Sequence, residues 1–140
     1  MQSLIRRASY GCVRVFWLDR SAAKDCVVRA ARRLGCRDTN ITRIVLFGSL
    51  ANGTAMPASD ADLLIIVENS QLPFIERAAE YRPCFSEIPI GTDLFVYAED
   101  EVAGGHISLV NTALRTGMEV YRRDSVGYSS MKPRTSRSSR

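Results

Sequence analysis

The sequence has little of what a histidine- or thiolate-based metal site requires. Its 140 residues include one histidine, His106, and four cysteines, no two of which form a Cys-x-x-Cys pair. Structural zinc sites take four Cys or His ligands at close spacing, so no such site is expected. The N-terminus has no apolar stretch typical of an export signal. Reduced thiols and a cytoplasmic location are therefore expected.

Long apolar runs are also missing. No stretch approaches the roughly 20 residues of a membrane-spanning helix, so the sequence predicts no membrane association. Hydrophobic residues make up 46% and charged residues 24% of the chain. That balance is typical of a globular protein, and the length predicts one domain with a single core.

The net charge of +4 is unevenly distributed. Residues 122–140 carry six basic side chains and one acidic side chain, a net of +5, which leaves −1 for the rest. We therefore predict an N-terminal extension at 1–18, a folded domain at 19–123 and a disordered, basic, Ser/Arg-rich tail at 124–140. A near-neutral domain does not favour nucleic acid as a partner; only the tail has the charge to contact RNA.

Apolar periodicity predicts helices alternating with strands. An apolar stripe from Ala23 to Leu34 predicts a first helix that Gly35 ends. Residues 41–47 form a nearly continuous apolar, β-branched run, typical of a strand covered on both faces. The remaining prediction is strands at 60–68, 88–97 and 118–122, with helices at 73–81 and 99–117.

Two carboxylates, Asp60 and Asp62, stand at the start of the second apolar strand. Side chains two residues apart in a strand point the same way, so these like charges lie roughly 7 Å apart on one face. Charges beside buried surface are rare unless they are paired or bind a metal. Mg²⁺ takes one or two carboxylates together with phosphate oxygens. The pair therefore predicts a magnesium and phosphate site.

Asp93 opens the next apolar strand. If the two strands pair, Asp93 lies beside Asp60 and Asp62, and three carboxylates could hold two metal ions about 3.5–4 Å apart for displacement at phosphorus. Asp93 would serve the ion that activates an attacking hydroxyl and would accept its proton.

Gly48 and Ser49 follow the first apolar strand. Glycine lets the backbone approach a phosphate closely, and N–H groups at a helix start attract anions. Gly-Ser alone predicts a turn, and Asp-x-Asp alone predicts a capped strand end. Their combination in this order predicts a site for a metal-bound nucleotide.

The motif Gly48-Ser49, ten residues, then Asp60-Ala-Asp62 resembles the signature of the polymerase-β-like nucleotidyltransferases. The flanking residues resemble the minimal nucleotidyltransferase (MNT) subgroup, and the resemblance covers about residues 20–120. It implies an α+β fold, a mixed β-sheet backed by helices on one face. It also implies Asp60, Asp62 and Asp93 as catalytic and metal-binding residues, with Gly48 and Ser49 binding nucleotide.

The same resemblance implies a reaction and a partner. Members move a nucleoside monophosphate from a triphosphate, such as ATP, to a hydroxyl with Mg²⁺ and release pyrophosphate. Minimal members are often paired with a HEPN-domain toxin, and some adenylylate a tyrosine of it, which makes them antitoxins. Where the family usually has Arg, this chain has Asn52, so one cation near the phosphates is missing.

Two other functions compete with that expectation. The domain could be a nucleotide-binding antitoxin that neutralises its partner by contact, without catalysis. It could also modify small molecules, as aminoglycoside nucleotidyltransferases do, although 140 residues leave no room for the second domain that usually holds the acceptor.

Overall fold

The structure, a computed structural model, describes residues 5–10, 13–18, 20–52, 60–88 and 90–124. Six strands and five α-helices occur in these ranges. The strands are β1 (Ile5–Tyr10), β2 (Val13–Leu18), β3 (Ile41–Phe47), β4 (Ala61–Val67), β5 (Thr92–Ala98) and β6 (Met118–Arg122). The helices are α1 (Arg20–Arg37), α2 (Ser49–Asn52), α3 (Phe74–Arg77), α4 (Glu99–Ala103) and α5 (Ser108–Thr116). Two 3₁₀ turns, Ala78–Glu80 and Arg82–Phe85, follow α3.

Four strands form one mixed sheet in the order β5-β4-β3-β6. The β4–β5 pair is parallel, whereas β3 pairs antiparallel with both β4 and β6. The α+β class and the mixed sheet backed by helices are thus confirmed. Within the predicted N-terminal extension, β1 and β2 form a separate antiparallel pair.

Helices cover both faces of the sheet. On one face, β-strand side chains such as Ile44 and Ile65 share a core cluster with Val27 of α1. On the other, Leu64 packs in a second cluster with Val110 of α5. The expectation of helices on one face only is therefore wrong. Because residues 44–46 and 63–67 are unbroken apolar runs, both faces of β3 and β4 need cover.

Gly35 does not end the first helix, which continues to Arg37. It is buried, and a Cβ added to it would lie 2.5 Å from Cδ2 of Tyr121 in β6. The glycine therefore serves a close approach between helix and sheet, and the prediction of a helix end at this position is wrong.

The predicted helix at 99–117 is in fact two helices, α4 and α5, separated by residues 104–107. Gly105 has φ +77°, a conformation that continues no α-helix. The predicted helix at 73–81 likewise divides into the single turn of α3 and a 3₁₀ turn. The strand predicted from residue 88 begins only at Thr92.

A buried arginine joins the segment between β4 and β5 to the end of β5. Arg77, 8% exposed, lies 2.7 Å from Oε1 of Glu101 and donates to the carbonyl oxygens of Leu72 and Val96 at 3.0 and 3.3 Å. Glu101 also accepts from the backbone N–H of Ala98 at 2.8 Å. The hydrogen bond with Arg77 is the main cause that lowers the pKa of Glu101, and the hydrogen bond with Ala98 lowers it further.

In the described ranges, no helix is both long enough and apolar enough to cross a membrane. The predicted basic tail, apart from Asp124, lies outside the described residues.

Candidate active site

Asp62 and Asp93 are neighbours across the parallel β4–β5 ladder. The two residues are register partners, with Leu64 and Phe95 the next pair on the same face. The condition that these strands pair is thus met, and the pairing brings two of the three predicted carboxylates together. Both point to the face that carries α5 rather than to the α1 face, where Leu63 and Leu94 are buried.

Asp60 stands just before β4, beside the backbone that leads into β5. A Cβ added to Gly91 would lie 2.5 Å from Oδ1 of Asp60, and the Gly91 carbonyl accepts a hydrogen bond of 2.8 Å from Ala61 N–H. The absence of a side chain at position 91 therefore gives Asp60 its space. Asp60 and Asp93 are exposed, whereas Asp62 is half-buried.

Gly48 and Ser49 bring the turn after β3 against the Asp62 carboxylate. Gly48 has φ +81°, and a Cβ on it would overlap Oδ2 of Asp62. Glycine is thus required here both for the left-handed backbone and for the close approach. Ser49 begins α2 and is half-buried. Asn52 ends α2 and is exposed.

The electrostatics of Asp62 show that the two other carboxylates act on it. Partial burial is the largest cause that raises the pKa of Asp62, followed by the negative charges of Asp93 and Asp60 and by a hydrogen bond with Asp93. Each of these effects disfavours the ionised form. A cation placed at this point would relieve the repulsion, so the site favours a positively charged ligand.

Among the described residues, no group of three or more His, Cys, Asp or Glu side chains is arranged to hold a metal ion. The Asp62–Asp93 pair nevertheless matches the carboxylate donors of Mg²⁺, which needs only one or two of them when phosphate supplies further oxygens. The donor set therefore fits an ion that arrives with a nucleotide. The assignment of Asp60, Asp62 and Asp93 as joint ligands stays a prediction.

An aromatic pair beside the carboxylates was missed by the sequence reasoning. Phe47 is the register partner of Asp62, and Phe95 lies two residues after Asp93 on the same face. Their ring centroids are 5.8 Å apart with the planes tilted by 50°, and both residues are half-buried. The sequence did indicate this pair, because Phe47 directly precedes Gly48 and Phe95 lies two residues after Asp93.

Comparison with known families identifies the class of protein. The family described as "Nucleotidyltransferase domain" matches residues 28–115, more than half of the chain, so this protein belongs to that family. The match includes Gly48, Ser49 and all three carboxylates. No curated protein matches the chain.

Two solved structures are similar in fold. One is a candidate nucleotidyltransferase from Sulfolobus solfataricus, with a TM-score of 0.56 and 16% identity over 76% of this chain and 86% of that chain. The other is a toxin–antitoxin structure with AMP-PNP, with a TM-score of 0.52 and 17% identity over 75% of this chain and 77% of that chain. At these identities the likeness concerns the fold.

Proposed function

We propose that this domain is a Mg²⁺-dependent nucleotidyltransferase that moves AMP from ATP to a hydroxyl. The observation that supports it best is the adjacency of Asp62 and Asp93 across the β4–β5 ladder, with Gly48 against Asp62. A partly buried carboxylate whose pKa is raised by burial and by neighbouring charges, as for Asp62, is a frequent mark of a functional site. Family membership supplies the reaction class.

The residues divide into binding and chemical roles. The turn at Gly48 and the hydroxyl of Ser49 would bind the triphosphate, and Asp60 and Asp62 would hold the Mg²⁺ that accompanies it. Asp93 would accept the proton of the acceptor hydroxyl and would also help to hold a second Mg²⁺ ion. When bound, Mg²⁺ would neutralise phosphate oxygens and lower the pKa of the attacking hydroxyl.

The proposed reaction needs no reactant besides ATP and the acceptor hydroxyl. The acceptor oxygen bonds to the α-phosphorus, and the bond from that phosphorus to the oxygen bridging to the β-phosphate breaks. Pyrophosphate leaves with the bonding electrons, and the acceptor proton passes to Asp93. The Phe47–Phe95 pair, on the same face as Asp93, offers an apolar surface for the nucleobase or for an aromatic acceptor.

We further propose that the acceptor is a tyrosine of a HEPN-domain toxin and that the domain is its antitoxin in the cytoplasm. Similarity to a toxin–antitoxin structure with AMP-PNP supports a toxin as the partner and ATP as the nucleotide, whereas the HEPN class of that toxin rests on the sequence resemblance. One alternative is an antitoxin that binds nucleotide and neutralises its partner by contact. The exposed Asn52, in place of the family's arginine, favours that alternative, because it leaves the triphosphate with one cation fewer.

Paired measurements on the full chain test both proposals. Mg·ATP affinity is measured by calorimetry, and transfer to the protein encoded by the adjoining reading frame is measured by mass spectrometry as the mass gain of one AMP group. Asp62→Ala should abolish Mg²⁺-dependent ATP binding. Asp93→Asn should keep most of the affinity but lower the transfer rate on the order of 10²-fold. Asp100→Asn, an exposed carboxylate of α4, should change neither.

Each outcome selects one function. Unchanged ATP affinity in Asp62→Ala would refute the site assignment, and normal transfer by Asp93→Asn would remove Asp93 from the catalytic set. ATP binding without any transfer by the unmodified protein, together with a stable complex, would establish the contact antitoxin instead.

A further inference from the structure

We propose that a groove beside α1 is a docking site for an acidic segment of a partner protein. This α1 groove lies between α1 and residues 83–88 and encloses a cavity of about 280 Å³. Arginines form its rim, at positions 29, 33 and 37 of α1. It is distinct from the carboxylate site, because α1 packs on one face of the sheet whereas Asp62 and Asp93 point to the other.

The three rim arginines form one row. Positions four residues apart on a helix lie on the same side and about 6 Å apart along the axis. All three side chains are exposed. Glu87 is the only acidic residue among the described residues that line the groove, which leaves a net charge of +2. Negative groups spaced about 6–7 Å apart would match the row.

Within the described residues, the rim arginines form no ion pair with a carboxylate. Within the described part of the chain, none of them lies within 4.0 Å of an Asp or Glu oxygen, whereas Arg43, Arg77, Arg122 and Arg123 each do. Arg29 donates instead to Sγ of Cys26 at 3.4 Å, and Arg37 to Sγ of Cys84 at 4.0 Å. Thiols are weak acceptors, so the guanidinium groups keep most of their capacity for an incoming anion.

The floor of the groove decides which anion fits. The lining is mainly polar; half-buried Ile88 supplies a small apolar area above the buried side chains of Leu34 and Ala30, and none of the described lining residues is aromatic. Single-stranded nucleic acid gains much of its affinity by stacking bases on aromatic rings, which this floor does not offer. A basic rim beside the small apolar area at Ile88 matches a peptide in which carboxylates alternate with aliphatic side chains. In an extended strand, residues i and i+2 lie about 6.6 Å apart, close to the arginine spacing.

Two cysteines in the groove give a direct readout. Cys26 and Cys84 line it and are half-buried, whereas Cys36 is exposed and lies outside it. The full chain is mixed with a synthetic peptide of alternating Glu and Leu, with a Gln/Leu peptide of the same length, or with an oligothymidylate. Alkylation of each cysteine by a maleimide is then followed by mass spectrometry. The Glu/Leu peptide should slow alkylation of Cys26 and Cys84 at least about threefold and leave Cys36 unchanged.

Charge reversal supplies the matched variants. The double variant Arg33→Glu/Arg37→Glu should bind the Glu/Leu peptide at least about tenfold more weakly. Arg115→Glu, an exposed arginine of α5 on the other face, should stay within about twofold of the original chain. Added salt should weaken peptide binding, because the charges are exposed.

Three results would overturn the proposal: no protection by the Glu/Leu peptide, equal protection by the Gln/Leu peptide, or protection by the oligothymidylate alone. The last would assign the groove to nucleic acid. Neither alkylation nor peptide binding depends on ATP or on Asp93. Failure here therefore leaves the transferase proposal intact, and a failed transfer assay leaves this one intact.

Discussion

Replacing Gly48 by alanine tests whether the turn after β3 sets the position of Asp62. Two effects add at this residue. Alanine at φ +81° costs about 1–2 kcal/mol, because its Cβ crowds the following carbonyl. The new methyl would also overlap Oδ2 of Asp62 and lie 3.2 Å from its Cγ, so the carboxylate must leave its present position.

A matched control separates these two effects. Gly105 has φ +77°, and a Cβ added there would have nothing within 4 Å. Gly105→Ala should therefore carry the same backbone cost of about 1–2 kcal/mol without disturbing any carboxylate. Both variants should melt roughly 4–12 °C lower, by the usual relation between stability and Tm for a domain of about 100 residues.

Only Gly48→Ala should bind Mg·ATP more weakly than the original protein. Calorimetric titration with Mg·ATP should show at least about a tenfold weaker affinity for Gly48→Ala, equivalent to about 1.4 kcal/mol, and no change for Gly105→Ala. If the two variants bind Mg·ATP equally well, the contact between the turn and Asp62 does not position the site.

Three further predictions concern stability. The raised pKa of Asp62 means that the folded state holds the proton of this carboxyl more tightly than the unfolded state does. The stability that Asp62 contributes is therefore fully present below pH 3.8 and is lost as pH rises through the folded pKa. Asp62→Asn should therefore raise the Tm of the nucleotide-free protein at pH 7, and a thermal scan showing a lower Tm would contradict this. The lowered pKa of Glu101 has the opposite sign, because its stabilisation is present above pH 4.5 and is lost as pH falls through the folded pKa. Glu101→Gln should cost about 1–3 kcal/mol in urea unfolding at pH 7, since Arg77 keeps a buried charge, and no loss would exclude a stabilising role for the ion pair. Gly35→Ala should cost about 1–3 kcal/mol through overpacking, whereas a gain would show that helix propensity outweighs the contact with the aromatic ring.

The sequence was most informative where the determining interactions are local. The apolar run at 41–47 coincides with β3, because a short β-branched run between turn residues leaves few alternatives. The position of Asp62 and Asp93 at the starts of two apolar strands was likewise visible in the sequence, whereas their adjacency was predicted only on the condition that the strands pair, which they do.

Features that depend on distant residues were not accessible in this way. Gly35 resembles a helix end in sequence, and its actual role requires Tyr121, which lies 86 positions later in the chain. The α1 groove could not be predicted, because one wall comes from residues 83–88 and apolar periodicity describes only one helix at a time.

The topology of the sheet has a consequence for the order of assembly. β5 is an edge strand whose only partner in the described sheet is β4, and residues 68–91 must close a long connection before that parallel ladder forms. Closing such a connection is entropically costly, so we expect β5 to join late in folding and to detach first under stress. A molecule with β5 detached would keep Gly48 and Asp62 but lose Asp93. Such a partly unfolded molecule would still bind nucleotide but could not catalyse transfer. Turnover would therefore require β5 to be paired at the edge of the sheet.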